Sequence, residues 1–461
     1  MEDFSDWFHR MLDENKLIDI RYPVKGMPVY RGDGVRIIRE MIRHLEALLE
    51  ADGHEPMYFP VAIPETLLAA EAEHIAGFED EVYWMTHAGG NPLDVKLALR
   101  PTSETCMYPM FALWTRTHTD LPIKIHQTTC VYRHDTKHTR PLIRSREIWW
   151  NEGHTAFETR EEALENIETV KRIYSSLITD LLCIPVEINQ RPEWDKFPGA
   201  EYTIAFDTIF PDGKTLQVAT IHNLGQHFSK VFNIEFENAS GEKKLAWQTS
   251  YGPGFGRLLA SVVSVHGDEK GMRLPPKVAP IQVVVVPIVF KDSDKKKVME
   301  FIGKVKNILE KNSVRFTVDD GDERPGAKYY KWEQRGVPLR IEVGPKDVEK
   351  NHVMTVRRDT GEKKPVKLAD LDVPNILDSI QKTLLAQAQE KFDARLFKAK
   401  DEKELDKHLG VGIVTTGWCG EDSCAPKIES KGTILSTDRD HRHKCVICGA
   451  EGMTIKVAKT Y

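Results

Sequence analysis

No apolar run in this chain approaches the roughly 18–20 residues that a membrane-spanning helix needs. The longest, around Ile281–Phe290, signals a buried strand instead, so no membrane partner is expected. The opening MEDFSDWFHR has no basic stretch followed by an apolar core. No secretory signal is therefore expected, and the setting is read as cytoplasmic. Neither sign of charge dominates: 64 Lys+Arg stand against 70 Asp+Glu, a formal net charge of -6. That balance excludes a histone-like coat of nucleic acid and leaves room for a local basic patch. Cysteine is scarce, 7 in 461 residues, and Cys106, Cys130 and Cys183 stand isolated, so no disulfide framework is implied. There is no internal repeat and no low-complexity tract. What is present, 41% hydrophobic and 29% charged residues, is a globular composition that excludes disorder over most of the length. At roughly 150 residues per domain, about three domains are expected.

Val35, Ile38, Met41, Ile42, Leu45, Leu48 and Leu49 recur at helical spacing, and Gly53 ends that helix. A strand over Glu55–Ile63 follows, broken by Pro60. Thr159 and Glu162 form a capping box for a second helix, whose apolar face runs from Leu164 to Leu181. Short β-rich runs lie between and after: Lys124–Tyr132, Arg146–His154, Pro185–Asn189, Thr203–Ile209, Thr215–Ile221 and Leu245–Tyr251. Hairpin-length turns such as Pro211-Asp212-Gly213 link them, which predicts an α+β domain built on an antiparallel sheet with helices on one side. Leu274-Pro275-Pro276 reads as a linker. Beyond it, strands at Ile281–Pro287, Arg315–Val318, Leu339–Val343 and His352–Arg357 alternate with helices at Lys295–Lys311 and near Lys328–Arg335. That alternation predicts an α/β domain. A charged helix around Ile376–Phe392 leads into the tail. The expected division is residues 1–276, 277–385 and 386–461.

The tail carries Cys419, Cys424, Cys445 and Cys448 in the spacing C-x4-C-x20-C-x2-C. Two close pairs can supply four thiolates in a tetrahedron, which suits a structural Zn²⁺; unligated cysteines are the alternative. Gly417, Gly420 and Gly449 would let the backbone turn around a metal, and Trp418 would shield it. His441 and His443 read as solvated histidines. Gly252-Pro253-Gly254-Phe255-Gly256 imitates a dinucleotide loop, but it leads into Arg257 and an apolar helix with no parallel sheet predicted around it. There, glycines would let backbone approach a ligand, and Arg257 offers a bidentate cation to phosphate. Tyr132–Glu147 is dense in arginine and flanked by strand-like sequence, so it reads as two strands with a loop that can face a polyphosphate. A solvated basic loop is the alternative.

At these motifs the chain resembles a class II aminoacyl-tRNA synthetase, and within the class a prolyl-tRNA synthetase of the archaeal/eukaryotic type. The first class motif corresponds to the helix ending at Gly53 and the strand holding Pro60, a dimer-forming element in the class. The second corresponds to Arg133 through Glu152, with Trp150-Asn151-Glu152-Gly153-His154, and the third to Gly252–Arg257. Closer to the prolyl subtype are Arg100-Pro101-Thr102-Ser103-Glu104, Phe197-Pro198-Gly199-Ala200, Gln217-x-x-Thr220-x-His222-x-Leu224-Gly225 and a metal-binding tail ending in Tyr461. No large editing domain fits between the second and third motifs.

The resemblance implies the roles. Thr102 and Glu104 would bind proline's secondary ammonium, with Ser103 in the same site. Arg133 would sit between the proline carboxylate and the α-phosphate, His222 would line the proline site, and Phe78, Trp150 and Phe197 would wall the ring. For Phe78 and Trp150 ordinary core is the alternative. Arg133, Asp135, Arg144, Ser145, Gln217, Thr220 and Arg257 would contact ATP, which brings Mg²⁺; Arg133 and Arg257 would carry the catalytic charge. The class pattern Arg-x-Glu is here Arg133-His134-Asp135, one methylene shorter, and Ile148 stands where the family commonly has an adenine-stacking Phe. Glu333, Arg340 and Lys346 fall where anticodon guanines of tRNA(Pro) would be read, or else form a solvated charged face. The implied activity is activation of L-proline with ATP and transfer to tRNA(Pro) by a homodimer. The competing reading is an inactive synthetase-like regulator that binds tRNA; a zinc-ribbon nucleic-acid binder would explain the tail alone.

Overall fold

A computed structural model describes residues 3–69, 79–134, 138–289 and 292–461. Its centre is a seven-stranded sheet. In chain order the strands are β1 (Glu55–Pro56), β2 (Ile123–Tyr132), β3 (Glu147–Phe157), β4 (Glu187–Gln190), β5 (Tyr202–Ile209), β6 (Thr215–Gly225) and β7 (Trp247–Pro253). Their order across the sheet is β1-β2-β3-β7-β6-β5-β4. All neighbours are antiparallel except β1 and β2, which run parallel. The sequence-based strand near Glu55 divides accordingly. Its first part joins this sheet, and Ala62–Pro64 joins a separate three-stranded sheet with Asn91–Leu99 and Tyr83–Ala88.

One face is covered by α1 (Gly32–Ala51), α3 (Arg160–Ser175) and α4 (Phe255–His266). Ile37, Ile38, Met41, Leu45 and Leu49 of α1 are buried, as their spacing predicts, each worth about 1.5–3 kcal/mol out of water. Gly53 follows at φ +84°, and His54 N–H reaches back to the Leu49 carbonyl at 3.0 Å. This six-to-one bond closes the helix around a residue for which glycine is the unstrained choice. Thr159 and Glu162 complete a reciprocal capping box on α3. The helix then passes into a π-turn over Ser176–Leu181, which keeps Leu177, Ile178 and Leu181 buried.

The other face is not bare, contrary to the one-sided arrangement expected. α2 (Glu104–Trp114) and the short helix His227–Phe232 pack over Ile125, Ala156 and Leu224. α2 is apolar nearly all round and carries Pro109, so it shows no helical period in sequence. From these two helices only Glu104, at the start of α2, reaches the cavity on this face.

After α4 the chain crosses Leu274-Pro275-Pro276. The prolines do not form an exposed linker. The segment is buried, with Met272 N–H on Gln334 O (3.0 Å) and Leu274 N–H on Gly336 O (3.1 Å). The next sheet has five strands in the order Phe316–Val318, Val283–Pro287, Leu339–Val343, His352–Arg357, Lys363–Lys367. Its first three are parallel, as α/β alternation requires, and the last two add antiparallel pairs. The helix Val373–Asp393 runs unbroken from this domain to the last, a four-stranded sheet ordered Leu396–Lys398, Ile413–Trp418, Glu451–Ala458, Thr433–Lys444.

Candidate active site

Strand parity builds the cavity floor. Residues facing each other across antiparallel strands share a face. The pairs Thr129↔Trp150, Gln127↔Glu152, His154↔Ser250, Ser250↔His222 and Thr203↔His222 therefore put these side chains together, away from α1, α3 and α4. On β6 a regular strand would turn Gln217 and Thr220 to opposite faces, because they are three apart. The register shift between Phe206 and Asp207 inserts Val218 as an extra residue on β6. Val218 and Ala219 both enter the core, and Gln217, Thr220 and His222 all line the cavity. The spacing Gln-x-x-Thr-x-His is thus a bulge signature.

The floor is acidic at one end. Thr102 hydrogen-bonds Glu104 at the start of α2. Glu152, 1% exposed, accepts from the Ser103 hydroxyl (2.5 Å) and Gln127 Nε2 (2.7 Å) on one oxygen and faces His154 Nε2 (3.0 Å) on the other. The Tyr108 hydroxyl lies 3.0 Å from His154 Nδ1. Burial opposes a charge on His154, but the Glu152 hydrogen bond and the Glu104 and Glu152 carboxylates outweigh it and raise its pKa. The imidazole of His222 stacks on Phe197 with centroids 4.5 Å apart, and the Thr203 hydroxyl bridges His222 Nδ1 (2.9 Å) and Phe197 N–H (2.9 Å).

The other end is cationic. Arg133 is anchored by Nε on Pro101 O (2.9 Å), and Arg257 by Nε on Ile143 O (3.0 Å) and Nη1 on Gln217 O (2.9 Å). Burial lowers the pKa of Arg133, while Glu81, Glu104 and Glu152 pull it back up. Burial, then Arg133 and Arg144, bring Arg257 down to about 10, which leaves it a cation at neutral pH. Arg133 therefore stands between carboxylates and cations. Gly256 is where the Arg140–Arg144 turn meets α4: a Cβ there would lie 3.0 Å from Leu142 O. The glycine run passes from an antiparallel strand into α4, so no dinucleotide-binding βαβ unit surrounds it.

One cavity of about 410 Å³ is lined by Thr102, Glu104, Arg133, Arg144, Ser145, Trp150, Phe197, Gln217, Thr220, His222 and Arg257. Ser103 is not in its lining; its fully buried side chain lies behind, on Glu152. Phe78 and Asp135 lie outside the described residues. Ile148 also lines the cavity. Sequence reasoning passed over Tyr30, Glu81, Glu147, Trp149, Glu152, His154 and Ser250 as site residues, all of which line it. Glu152 and His154 were accessible from strand parity alone, being two and four residues from Trp150.

Away from the cavity, the sulfurs of Cys419, Cys424, Cys445 and Cys448 lie within 4.8 Å of one another. A tetrahedral ion with bonds of about 2.3 Å to sulfur spaces its ligands by roughly 3.8 Å, so the four fit one ion. Gly420 and Gly449 take φ +86° and +74°, and a Cβ at Gly417 would sit 2.2 Å from Lys444 O. Trp418 packs with Cys424 and Cys445, while His441 and His443 are exposed and outside the cluster. In the five-stranded domain, Arg340 is 9% exposed, lies over the Tyr329 ring at 4.1 Å, and pairs with Glu342 (3.0 Å) and Glu333 (3.4 Å). Lys346 is exposed on the short helix Pro345–Glu349.

Residues 83–266 match the family described as tRNA synthetase class II core domain (G, H, P, S and T), and residues 282–373 match the anticodon binding domain. The chain is 47% identical over 469 residues to a protein named proline--tRNA ligase from Methanopyrus kandleri, covering 100% of this chain and 96% of that protein. A second, from Methanococcoides burtonii, is 47% identical over 470 residues, covering 100% and 97%. The structure is similar to Giardia lamblia prolyl-tRNA synthetase in complex with prolyl-adenylate, with TM-score 0.96, 34% identity, and 99% and 98% of the two chains covered. It is also similar to the Cryptosporidium parvum enzyme with L-proline and AMP, with TM-score 0.91, 35% identity, and 99% and 97% covered.

Proposed function

Because this chain belongs to the prolyl-tRNA synthetases, class II enzymes of the archaeal/eukaryotic type, we propose that its polarised cavity is where proline and ATP meet. The protein is a proline--tRNA ligase: it activates proline with ATP to prolyl-adenylate and transfers it to tRNA(Pro). The observation that carries the site assignment is the order of charge along the cavity: Glu104 and Glu152, then Arg133, then Arg144 and Arg257. A zwitterion laid beside a triphosphate needs that order.

In this reading Thr102 and Glu104 take the ammonium, with Ser103 and His154 hydrogen-bonded to Glu152 behind them. Phe197, Trp150 and His222 enclose the apolar ring. Arg133 holds the proline carboxylate against the α-phosphorus, and the carboxylate attacks in line as pyrophosphate leaves. The carboxylate is already a nucleophile, so no general base is required; catalysis is positioning and charge stabilisation. Arg144, Ser145, Gln217, Thr220 and Arg257 take the nucleotide. Glu147, which lines the cavity, would hold the Mg²⁺ that comes with ATP, and the ion would screen the phosphates. The 3′-terminal ribose hydroxyl of the tRNA then attacks the anhydride carbonyl; the ester forms as the bond to phosphate breaks, and AMP and the hydroxyl proton leave.

We assign residues 1–276 to catalysis, 277–385 to the anticodon with Glu333, Arg340 and Lys346 in contact, and 386–461 to a structural Zn²⁺ held by the four cysteines. A cytoplasmic setting suits those thiols, and among the described residues no helix is long and apolar enough to cross a membrane. A homodimer would cover the exposed Ile20, Tyr22, Val29 and Tyr58, the last 76% exposed. Sedimentation as a monomer at micromolar concentration would refute it. The function is tested by proline-dependent ATP–pyrophosphate exchange followed by tRNA charging. Exchange should require proline; tRNA binding with no exchange would instead mean an inactive regulator.

A further inference from the structure

Arg191 takes part in no step described above, yet it is among the most heavily bonded side chains near the cavity. It follows edge strand β4 and is 6% exposed. Its two terminal nitrogens grip Asp207 in a fork, Nη1 to Oδ2 at 2.8 Å and Nη2 to Oδ1 at 2.7 Å. Asn189 Nδ2 adds a third donor to Asp207 at 2.8 Å. The same guanidinium has two further acceptors. Nη2 donates to Gln217 Oε1 at 3.0 Å, and Nη1 donates to the main-chain carbonyl of Leu435 at 3.0 Å. Leu435 lies in the strand Thr433–Lys444 of the C-terminal domain, the strand that runs directly into Cys445.

An arginine donor settles which end of the Gln217 amide is which, since arginine cannot accept. The oxygen is turned to Arg191, so the NH₂ end is left for the cavity that Gln217 lines. The bulge on β6 selects the face, and the guanidinium selects the rotamer. We propose that Arg191 is a positioning residue for the nucleotide: it presents the Gln217 amide as a hydrogen-bond donor to ATP, and through the Leu435 carbonyl it makes that presentation depend on the docking of the C-terminal domain. This rests on the assignment of Gln217 to the ATP site, so the test separates the two.

Lysine at 191 keeps the charge and an Asp207 contact but is a single point donor that cannot serve three acceptors in a plane. R191K should raise the KM for ATP in pyrophosphate exchange about tenfold, with the KM for proline moving less than about twofold, beyond whatever the lost bonds cost in melting temperature. Q217A should raise the ATP KM similarly, and R191K/Q217A should be no worse than Q217A, because both remove one interaction. If Q217A leaves the ATP KM alone, the assignment of Gln217 falls. If Q217A raises it and R191K does not, or the two effects multiply, the assignment stands and the positioning role is overturned. A merely structural Arg191 would lower the melting temperature and the active fraction without separating the two KM values. Linkage is reciprocal, so a non-hydrolysable ATP analogue should slow amide hydrogen exchange over 433–437 in the wild type and not in R191K. Absence of that protection in the wild type overturns the link to the C-terminal domain.

Discussion

The charged cavity and the cysteine cluster are built in opposite ways. The cavity gathers Thr102, Arg133, Trp150, Gln217, His222 and Arg257 from a helix start, three strands or their ends, and a second helix start. The cluster takes all its sulfurs from 419–448, at two tight turns. A cavity assembled across a sheet depends on register everywhere, because one slipped residue turns every side chain to the wrong face. A cluster assembled at turns depends on a few backbone angles and four identical atoms. The first is tunable and fragile; the second is local and nearly all-or-none.

The largest expected effect tests the local side. Structural thiolate sites are worth on the order of 10 kcal/mol. Cys445→Ser should therefore bring bound zinc, read by atomic absorption, close to nothing; an unchanged metal-to-protein ratio would remove the site. Next, Arg133→Ala should slow exchange by more than a hundredfold, about 3 kcal/mol or more, because a preorganised charge is lost where charge develops. Near-normal exchange would end that role. Third, Gly153→Ala tests register at the sheet centre. The new Cβ would lie 2.0 Å from the Tyr251 ring, packed beneath α3, and should cost about 1–3 kcal/mol by overpacking. A thermal midpoint equal to wild type would show that the sheet yields more easily than this.

The smallest effect is on acid stability. Burial is the main cause that brings His54 and His266 from 6.5 down to about 4 in the fold. Each stays neutral when folded, while the unfolded chain takes up a proton near pH 6.5. The stability they confer is present above that value and declines as pH falls toward 4, by about 1.4 kcal/mol per pH unit for each group. His266→Gln keeps a donor for the Leu182 carbonyl, so it should narrow the gap between melting temperatures at pH 7.5 and pH 5. An equal gap would mean that other groups carry the acid response.

Legibility followed the same division. The four cysteines announced themselves, because a metal site at turns is a matter of spacing. The helices closed by Gly53 and opened by Thr159 were readable because caps are local. α2 was not, since an apolar helix with an internal proline has no periodicity. Thr102, Glu104 and Arg133 were recognised through resemblance, not through any pattern their own neighbours impose. Glu152 and His154 share a face with Trp150 by strand parity, but only the pairing of β2 with β3 sets Glu152 beside Gln127 as the acidic floor.

The chain's own order of residues determined the periodic, capped helices such as α1 and α3, where they stop, and that four sulfurs could converge. Those outcomes depend on contacts within a few residues. Tertiary structure alone decided that Gln217 and Thr220 share a face, that Arg133 stands between acids and cations, and that Arg191 joins three distant segments. Such facts come from strand register and from burial, which strengthens charge interactions by excluding water, and neither exists until the sheet has formed.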